Sequence, residues 1–108
     1  MRLTPSSSPT TVSSSNAETF SLEVAGLNYI CTIGRFPDGR IGEVFLNNHK
    51  SNSAADVNAR DAAIAFSFAV QHGADPDAIR RALSRDSRGN ASGPLGIALD
   101  IIAAEENP

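Results

Sequence analysis

Hydrophobic and polar residues alternate along the first half of the chain, beginning at Thr19. Phe20, Leu22 and Val24 share one face of this segment and polar residues share the other, which is typical of a half-buried strand. Two further segments have strand character, and turn residues separate all three. The predicted strands are residues 19–24, 29–33 and 41–46. Short strands joined by tight turns predict an antiparallel meander that needs a covering layer on one face.

The segment 36–40 carries the clearest turn signal. Pro37 has a φ suited to the first turn position, and Gly39 accepts a left-handed backbone. This turn should join the second and third strands. It should also set the register that directs Val44 and Leu46 toward the covering layer.

Helical periodicity replaces alternation in residues 53–73, the longest such run in the chain. Ser53 followed by Asp56 predicts a variant of the capping box, and Gly73 suits the left-handed residue after a helix. Two groups of mainly apolar residues fall on nearly opposite sides of this helix, and a narrow polar strip lies between them. The first group is Val57, Asp61, Ile64, Ala65 and Phe68, the second is Ala59, Ala62, Ala63, Phe66 and Val70, and the strip is Asp56, Arg60, Ser67 and Gln71. We therefore expect a central helix that is buried on two faces.

Two further helices are predicted in the last third of the chain. Asp75 suits an N-cap and Pro76 a first helical position, and this second helix should end before Gly89. A polar loop leads to a third helix that opens at residues 92–94. The predicted class is α+β: a three-stranded antiparallel meander covered by the central helix, then two more helices, in the order β-β-β-α-α-α.

The N-terminal part of the chain differs from the rest in composition. Residues 4–15 are serine, threonine and proline with Val12 as the exception, so they bury too little apolar surface to offset the entropy of ordering. We expect residues 1–17 to form a disordered tail without a signal peptide, and residues 18–108 to form a single domain. No apolar run is long enough to span a membrane, and nothing conflicts with a cytoplasmic location.

The charge and the cysteine usage narrow the classes of function. A net charge of −3 and a pI near 5.2 argue against a nucleic-acid partner. The single cysteine, Cys31, excludes an internal disulfide and a cysteine-based zinc site, and its place in a strand indicates a core residue. The two histidines, His49 and His72, lie on different segments and define no catalytic triad. We therefore predict no catalytic residues, no metal site and no cofactor.

A candidate anion site precedes the central helix and comprises His49, Lys50, Ser51, Asn52 and Ser53. Free N–H groups and the positive end of the helix dipole attract anions, and Lys50 adds a charge. The spacing is not that of a P-loop. The segment is therefore either a site for a nucleoside phosphate or another anion, or a helix cap with a solvated Lys50.

A candidate buried polar pair, Asn58 with Asp61, interrupts the apolar sector of the central helix. A buried carboxylate needs a partner, so we expect Asp61 to form a structural ion pair with Arg35 or Arg40, or else to contact a ligand.

A possible basic patch comprises four arginines near the second helix, Arg80, Arg81, Arg85 and Arg88. Arg81 and Arg85 are four residues apart on one predicted helical face, so they repel each other unless an acidic group or a phosphate lies between them. The alternative is a solvated face that Asp77 and Asp86 partly neutralise.

Four stretches together resemble one known family: "DGRIGEVFL", "HKSNSAAD", "AVQHGADPDAIRRAL" and "SGPLGIALDII". They are similar to the TSCPD domain, found at the C-terminal end of cobalamin-dependent (class II) ribonucleotide reductases and also as short free-standing bacterial proteins. The resemblance covers about residues 18–104. Asn52 stands where the family has a glycine, and asparagine tolerates the left-handed conformation. The cysteine of the eponymous motif is absent, and residues 92–94 are its nearest analogue.

The resemblance implies an accessory domain with no reaction of its own, whereas the whole family enzyme is a ribonucleoside-diphosphate reductase. We expect a binding module that associates with a protein partner or forms a homodimer, because a small domain has little chain to cover a helix that is apolar on two faces. The alternative is an anion- or nucleotide-sensing domain that uses the helix N-terminus after Lys50. A further possibility is an accessory part for a separately encoded reductase.

Overall fold

A computed structural model describes residues 13–106 of the chain. Its elements are β1 (Ser13–Val24), β2 (Leu27–Arg35), β3 (Ile41–Asn48), α1 (Ala54–Gln71), α2 (Pro76–Ala82) and α3 (Pro94–Glu106). The strands form one antiparallel sheet in the order β1-β2-β3. The predicted α+β class and element order are confirmed.

The first strand begins earlier than the side-chain alternation predicted. Ser13 pairs with Arg35 at the far end of β2, and the register shifts before Glu18 pairs with Ile33. Backbone pairing with β2 therefore extends β1 into the serine-rich stretch, where side chains give no strand signal. Of the predicted disordered tail, residues 1–12 lie outside the described part of the chain.

The turn between β2 and β3 has the predicted geometry. Gly39 has a φ of +95°, and its N–H donates to the carbonyl of Phe36 at 2.8 Å. The N–H of Phe36 in turn donates to the carbonyl of Arg40 at 2.8 Å. Val44 and Leu46 are both buried, so the predicted register of β3 is confirmed.

The core lies between one face of the sheet and the two longer helices. Its apolar side chains come from the sheet and its turn (Leu22, Tyr29, Cys31, Ile33, Phe36, Ile41, Val44, Leu46), from α1 (Ala59, Ala63, Phe66, Val70) and from α3 (Leu95, Ala98, Leu99, Ile102). Cys31 is fully buried in this core, as predicted.

Helix α1 packs along β3, which is an edge strand, and its polar strip bonds to the free backbone of that strand. The Ser67 hydroxyl accepts from the N–H of Val44 at 2.8 Å, and Gln71 donates to the carbonyl of Gly42 at 2.8 Å. An unpaired strand edge exposes backbone groups that can pair with another chain. The polar strip of α1 therefore closes this edge of the sheet.

The expectation that α1 is buried on two faces is wrong. The second apolar group and the polar strip face the sheet, apart from Ala62, which is exposed. In the first group Val57 is half-buried, while Asp61, Ile64, Ala65 and Phe68 are exposed. The physical reason is that the polar side of the helix forms hydrogen bonds with the edge of β3. The opposite side of the helix therefore faces away from the core.

Helix α2 ends before Gly89, as predicted, and is only 7 residues long. Asp75 caps it by accepting from the N–H of Asp77 at 3.0 Å, as expected, and the helix ends at Ala82, after which Leu83 is extended. Beyond this point the backbone of Arg85 pairs with the backbone of Ala91 in an antiparallel bridge. Backbone groups that would have continued the helix are thus used in a small hairpin.

Candidate functional site

The loop between β3 and α1 is organised around the side chain of Asp56, which is only 2% exposed. Its carboxylate accepts from the N–H of Asn48 at 2.8 Å and from the N–H of Asn52 at 2.9 Å. The Ser53 hydroxyl accepts from the N–H of Asp56 at 3.1 Å, so the N-cap half of the predicted capping box is confirmed. The reciprocal half is not formed, because the carboxylate bonds further upstream in the loop.

The electrostatics of this loop favour an ionised Asp56. The hydrogen bonds from Asn48 and Asn52 lower the pKa of its carboxyl group, and the Arg60 guanidinium, 3.6 Å from the carboxylate, lowers it further. Asn52 has a φ of +60°, the left-handed conformation that the family glycine would take. The loop therefore contains its own buried negative charge beside the N-terminus of α1.

The predicted anion-site residues lie together, and several of their polar groups bond within the protein. The N–H of Lys50 donates to the Asn48 side-chain oxygen at 2.9 Å, and the Ser53 hydroxyl donates to the carbonyl of Lys50 at 2.8 Å. His49 Nδ1 lies 3.3 Å from the carbonyl of Asn28. Lys50, Ser51 and Asn52 are exposed. An anion bound here would approach the ionised Asp56, and like charges repel.

The expectation of a buried polar pair at Asn58 and Asp61 is wrong, because both side chains are exposed on the outer side of α1. Neither proposed partner is directed at them. Arg35 bonds to carboxylates of β1 and α3, and Arg40 bonds to Asp38 at 2.7 Å. The buried carboxylate of α1 is Asp56, and its place three residues after Ser53 was the available sequence signal.

Arg35 joins three elements at one end of the sheet. Its guanidinium donates to Glu18 at 3.0 Å and to Glu106 at 2.6 Å. These two carboxylates raise the pKa of Arg35. Glu106 thereby anchors the last turn of α3 to β2.

The four predicted basic residues do not form a field of free positive charge. Arg85 makes a bidentate pair with Asp100, with both N–O distances at 2.9 Å, and Arg80 reaches the same carboxylate at 3.1 Å. Asp77 accepts from Arg80 at 2.7 Å and also from Arg81. The pKa of Asp100 is lowered by Arg85 and Arg80, and the pKa of Asp77 by Arg80 and Arg81. Three of the four arginines thus take part in ion pairs, although their two carboxylate partners balance only two of the three positive charges.

One detail of the basic patch differs from prediction. Arg81 and Arg85 do not share a helical face, because α2 ends between them. Arg88 is exposed in the hairpin loop, where its N–H donates to Asp86 at 2.9 Å. The sequence does not predict that Asp100 pairs with these arginines, because Asp100 lies on α3 and no spacing within the sequence relates it to Arg80 or Arg85.

The larger cavity, about 410 Å³, lies between the C-terminal end of α1, helix α2 and helix α3. Its floor is apolar and includes Val70, Leu99 and Ile102. Its rim carries charged side chains that are already engaged in ion pairs or in a helix cap: Arg40, Asp75, Asp77, Arg80 and Glu106. The cavity therefore holds no charged side chain that is free to act as a general acid or base.

A second cavity, about 380 Å³, lies between the N-terminal ends of α1 and α3. Its wall is built mainly from alanine, leucine, glycine and proline, with Tyr29, Asn58 and Ser84 as its polar side chains. No charged side chain lines it. This lining offers apolar contact and a few hydrogen bonds, and it has no histidine or carboxylate for acid–base catalysis.

Other kinds of site find no support in the part of the chain that is described. Burial raises the pKa of the Cys31 thiol to about 12, which disfavours the reactive thiolate. Among residues 13–106 no cluster of three histidine, cysteine or acidic side chains is placed to bind a metal ion. Within the same range, no helix has the length and apolar character needed to cross a bilayer.

The most prominent surface feature is the outer face of α1, formed by Asp61, Ile64, Ala65 and Phe68 together with His72, which follows the helix. Phe68 is 67% exposed and Ile64 is 54% exposed. A helix on a protein surface usually presents charged and polar residues to solvent. This face instead presents two large apolar side chains beside one carboxylate.

Comparison with known proteins gives one limited similarity. No family model matches the chain, and no solved structure matches it. A stretch of 50 residues, 46% of the chain, is 40% identical to a vitamin B12-dependent ribonucleotide reductase from Agrobacterium fabrum (strain C58 / ATCC 33970). The chain spans 4% of the length of that enzyme. It therefore contains a region similar to a small part of a vitamin B12-dependent ribonucleotide reductase.

Proposed function

We propose that this chain is a non-catalytic accessory module of the TSCPD type, and that it acts by protein association through the outer face of α1. The observation that carries the proposal is the exposure of Phe68 and Ile64 on the solvent side of an otherwise well-packed helix. Complete burial of a side chain of this size contributes about 1.5–3 kcal/mol. An unpartnered face of this kind is typical of an interaction site.

A second copy of the chain is the proposed occupant. A two-fold interface uses the same patch on both partners, so one apolar face per chain is sufficient. The polar strip of α1 is bonded to β3 and is not free for a partner. Self-association would bury Phe68 and Ile64 without disturbing those bonds.

The paired charges support a role without catalysis. The charged side chains around the larger cavity are occupied by ion pairs or a helix cap, and the one cysteine is buried with a raised pKa. The limited similarity to a vitamin B12-dependent ribonucleotide reductase supports descent from a domain appended to such an enzyme. The TSCPD assignment rests on this similarity and on the sequence motifs that carry the resemblance.

Sedimentation velocity over a range of micromolar concentrations tests self-association. We expect the average mass to rise with concentration, and Phe68→Ala to suppress that rise. Phe45→Ala is the matched control, because Phe45 is a 44% exposed phenylalanine on the outer face of the sheet. A chain that stays monomeric at every concentration, or equal effects of the two variants, would overturn the proposal.

The accessory role has a separate test. The purified chain would be added to a cobalamin-dependent ribonucleotide reductase, and turnover and allosteric response would be measured. A change that Phe68→Ala abolishes would support an accessory role through this face. Unchanged turnover and unchanged allosteric response would contradict it.

A further inference from the structure

We infer that two copies of α1 pack antiparallel, in a register that places Asp61 of each copy against His72 of the other. This inference rests on the proposed self-association and specifies its geometry. The two-fold axis would cross the helices at the level of residues 66 and 67.

The spacing of residues along the outer face supports one continuous contact seam. Asp61, Ala65, Phe68 and His72 follow one another at intervals of four, three and four residues, the spacing of a single helical stripe. His72 continues this stripe because its N–H still donates to the carbonyl of Phe68 at 3.1 Å. The seam therefore runs along the whole C-terminal half of α1.

Side-chain size is complementary in the proposed register. Phe68 of one copy lies opposite Ala65 of the other, while Ile64 and Ala69 flank the seam on its two sides, because they are about 140° apart around the helix. Phe68 therefore meets a small side chain, which lets the two helices approach closely. Phe68, Ile64 and Ala65 are exposed and Ala69 is half-buried, so all four are accessible to a second copy.

Charge selects the antiparallel orientation. Asp61 is exposed and takes part in no ion pair among residues 13–106. A parallel two-fold pair would place Asp61 against its own copy, where the like charges repel. The antiparallel register instead supplies each Asp61 with an imidazole, and symmetry makes this contact twice.

His72 is held in a geometry that suits this contact. Its Nδ1 lies 2.9 Å from the carbonyl of Phe68, an acceptor, so Nδ1 carries the proton. Its ring centroid lies 5.1 Å from that of Phe68, with the rings inclined at 46°. The Nε2 atom then faces away from its own chain, and an imidazolium protonated at both nitrogens would donate from Nε2 to the carboxylate of a second Asp61.

The other exposed apolar side chains offer a poorer contact. Ile30 lies between Ser21 and Asn47 on the neighbouring strands, and Phe45 lies beside Thr32. These two side chains are diagonal neighbours on the outer face of the sheet, and each is 44% exposed, less than Phe68 at 67% and Ile64 at 54%. The outer face of α1 combines large exposed apolar side chains with the complementary pair Asp61 and His72.

Cysteine cross-linking tests the register. Asp61→Cys and His72→Cys would be made as separate variants, and Cys31 is buried, so it does not compete. In the antiparallel pair the two copies of residue 61 are separated by about 16 Å along the helix axis, too far for a disulfide. We expect a covalent dimer under mild oxidation when the two variants are mixed, and none when either is oxidised alone.

A charge exchange provides an independent measurement. Asp61→Lys should weaken dimerisation about tenfold, because each dimer loses two attractive pairs. Adding His72→Asp to Asp61→Lys should restore most of the affinity. Asn58→Lys is the matched control on the same helix, outside the seam, and should have little effect.

The outcomes separate the register from the function. A dimer that forms no mixed disulfide, or in which one variant cross-links to itself, overturns the register and leaves self-association standing. A wild-type chain that sediments as a monomer overturns both. A mixed disulfide together with rescue by the charge exchange supports the inference.

Discussion

The hydroxyl of Ser67 accepts a hydrogen bond from the N–H of Val44 at 2.8 Å and lies 3.1 Å from the carbonyl of the same residue. One helical side chain thus satisfies the backbone N–H of a residue in an edge strand, while its single proton is shared between the carbonyls of Val44 and Ala63. The contact is buried, so water does not replace it. Edge strands are protected in many ways, and here a polar strip on a packed helix provides the protection.

Removing this hydroxyl should destabilise the fold. Ser67→Ala leaves the buried N–H of Val44 without its partner, and an unsatisfied buried donor costs about 1–3 kcal/mol. Urea unfolding measures the loss. Ser84→Ala is the control, because Ser84 is exposed, and it should change the free energy of unfolding by less than about 0.5 kcal/mol. Equal stability of the two variants would mean that the contact does not hold the edge.

Asp56 should make the stability of the protein depend on pH in the acid range. Hydrogen bonds from Asn48 and Asn52 lower its pKa in the folded state. A lowered pKa means that the stabilisation is present above the unfolded value, about 4, and is lost as the pH falls through the folded pKa. Thermal melts between neutral pH and about pH 2 should therefore show a steep fall in Tm below about pH 4.

Asp56→Asn tests the source of that pH dependence. The variant should have a lower Tm at neutral pH, because an amide is a weaker acceptor for two N–H groups, and a flatter Tm profile below about pH 4. Glu23→Gln is the control, because Glu23 is exposed and outside every described ion pair. A wild-type profile that stays steep after Asp56→Asn would assign the acid sensitivity to other carboxylates.

The strands and the central helix could be predicted because their signals are local. Alternation around Leu22, the turn at Gly39 and the serine cap at Ser53 depend on residues close in sequence, and the structure has each of them. The start of β1 could not be predicted from side chains. It is set by pairing with Arg35, which is distant in sequence.

The environment of α1 could not be predicted because two of its sides are apolar. Periodicity shows that Phe66 and Phe68 lie on different sides, but it does not show which side meets the sheet. The deciding interaction is the polar strip, which bonds to β3 through Ser67 and Gln71. A polar strip is ordinarily assigned to solvent, and here it is the side that touches an unpaired strand edge.

Cys31 should be unreactive in the folded protein. Burial raises the pKa of its thiol to about 12, so very little thiolate is present at pH 8. We expect no labelling by a thiol reagent at that pH in buffer and complete labelling in concentrated urea. Ser84→Cys provides an exposed thiol as the positive control. Rapid labelling of Cys31 in buffer would show that the core opens readily around β2.

Gly39 carries the turn that sets the register of β3, and it should tolerate no β-branched residue. Its φ of +95° lies in the left-handed region, so the strain of a larger residue does not depend on the free space around it. Gly39→Val should cost about 1–3 kcal/mol and disturb the register that buries Val44. Gly42→Ala is the control, because Gly42 lies inside β3 and is not in the left-handed region. If Gly39→Val melts at the wild-type temperature, the turn does not determine the pairing of β2 with β3.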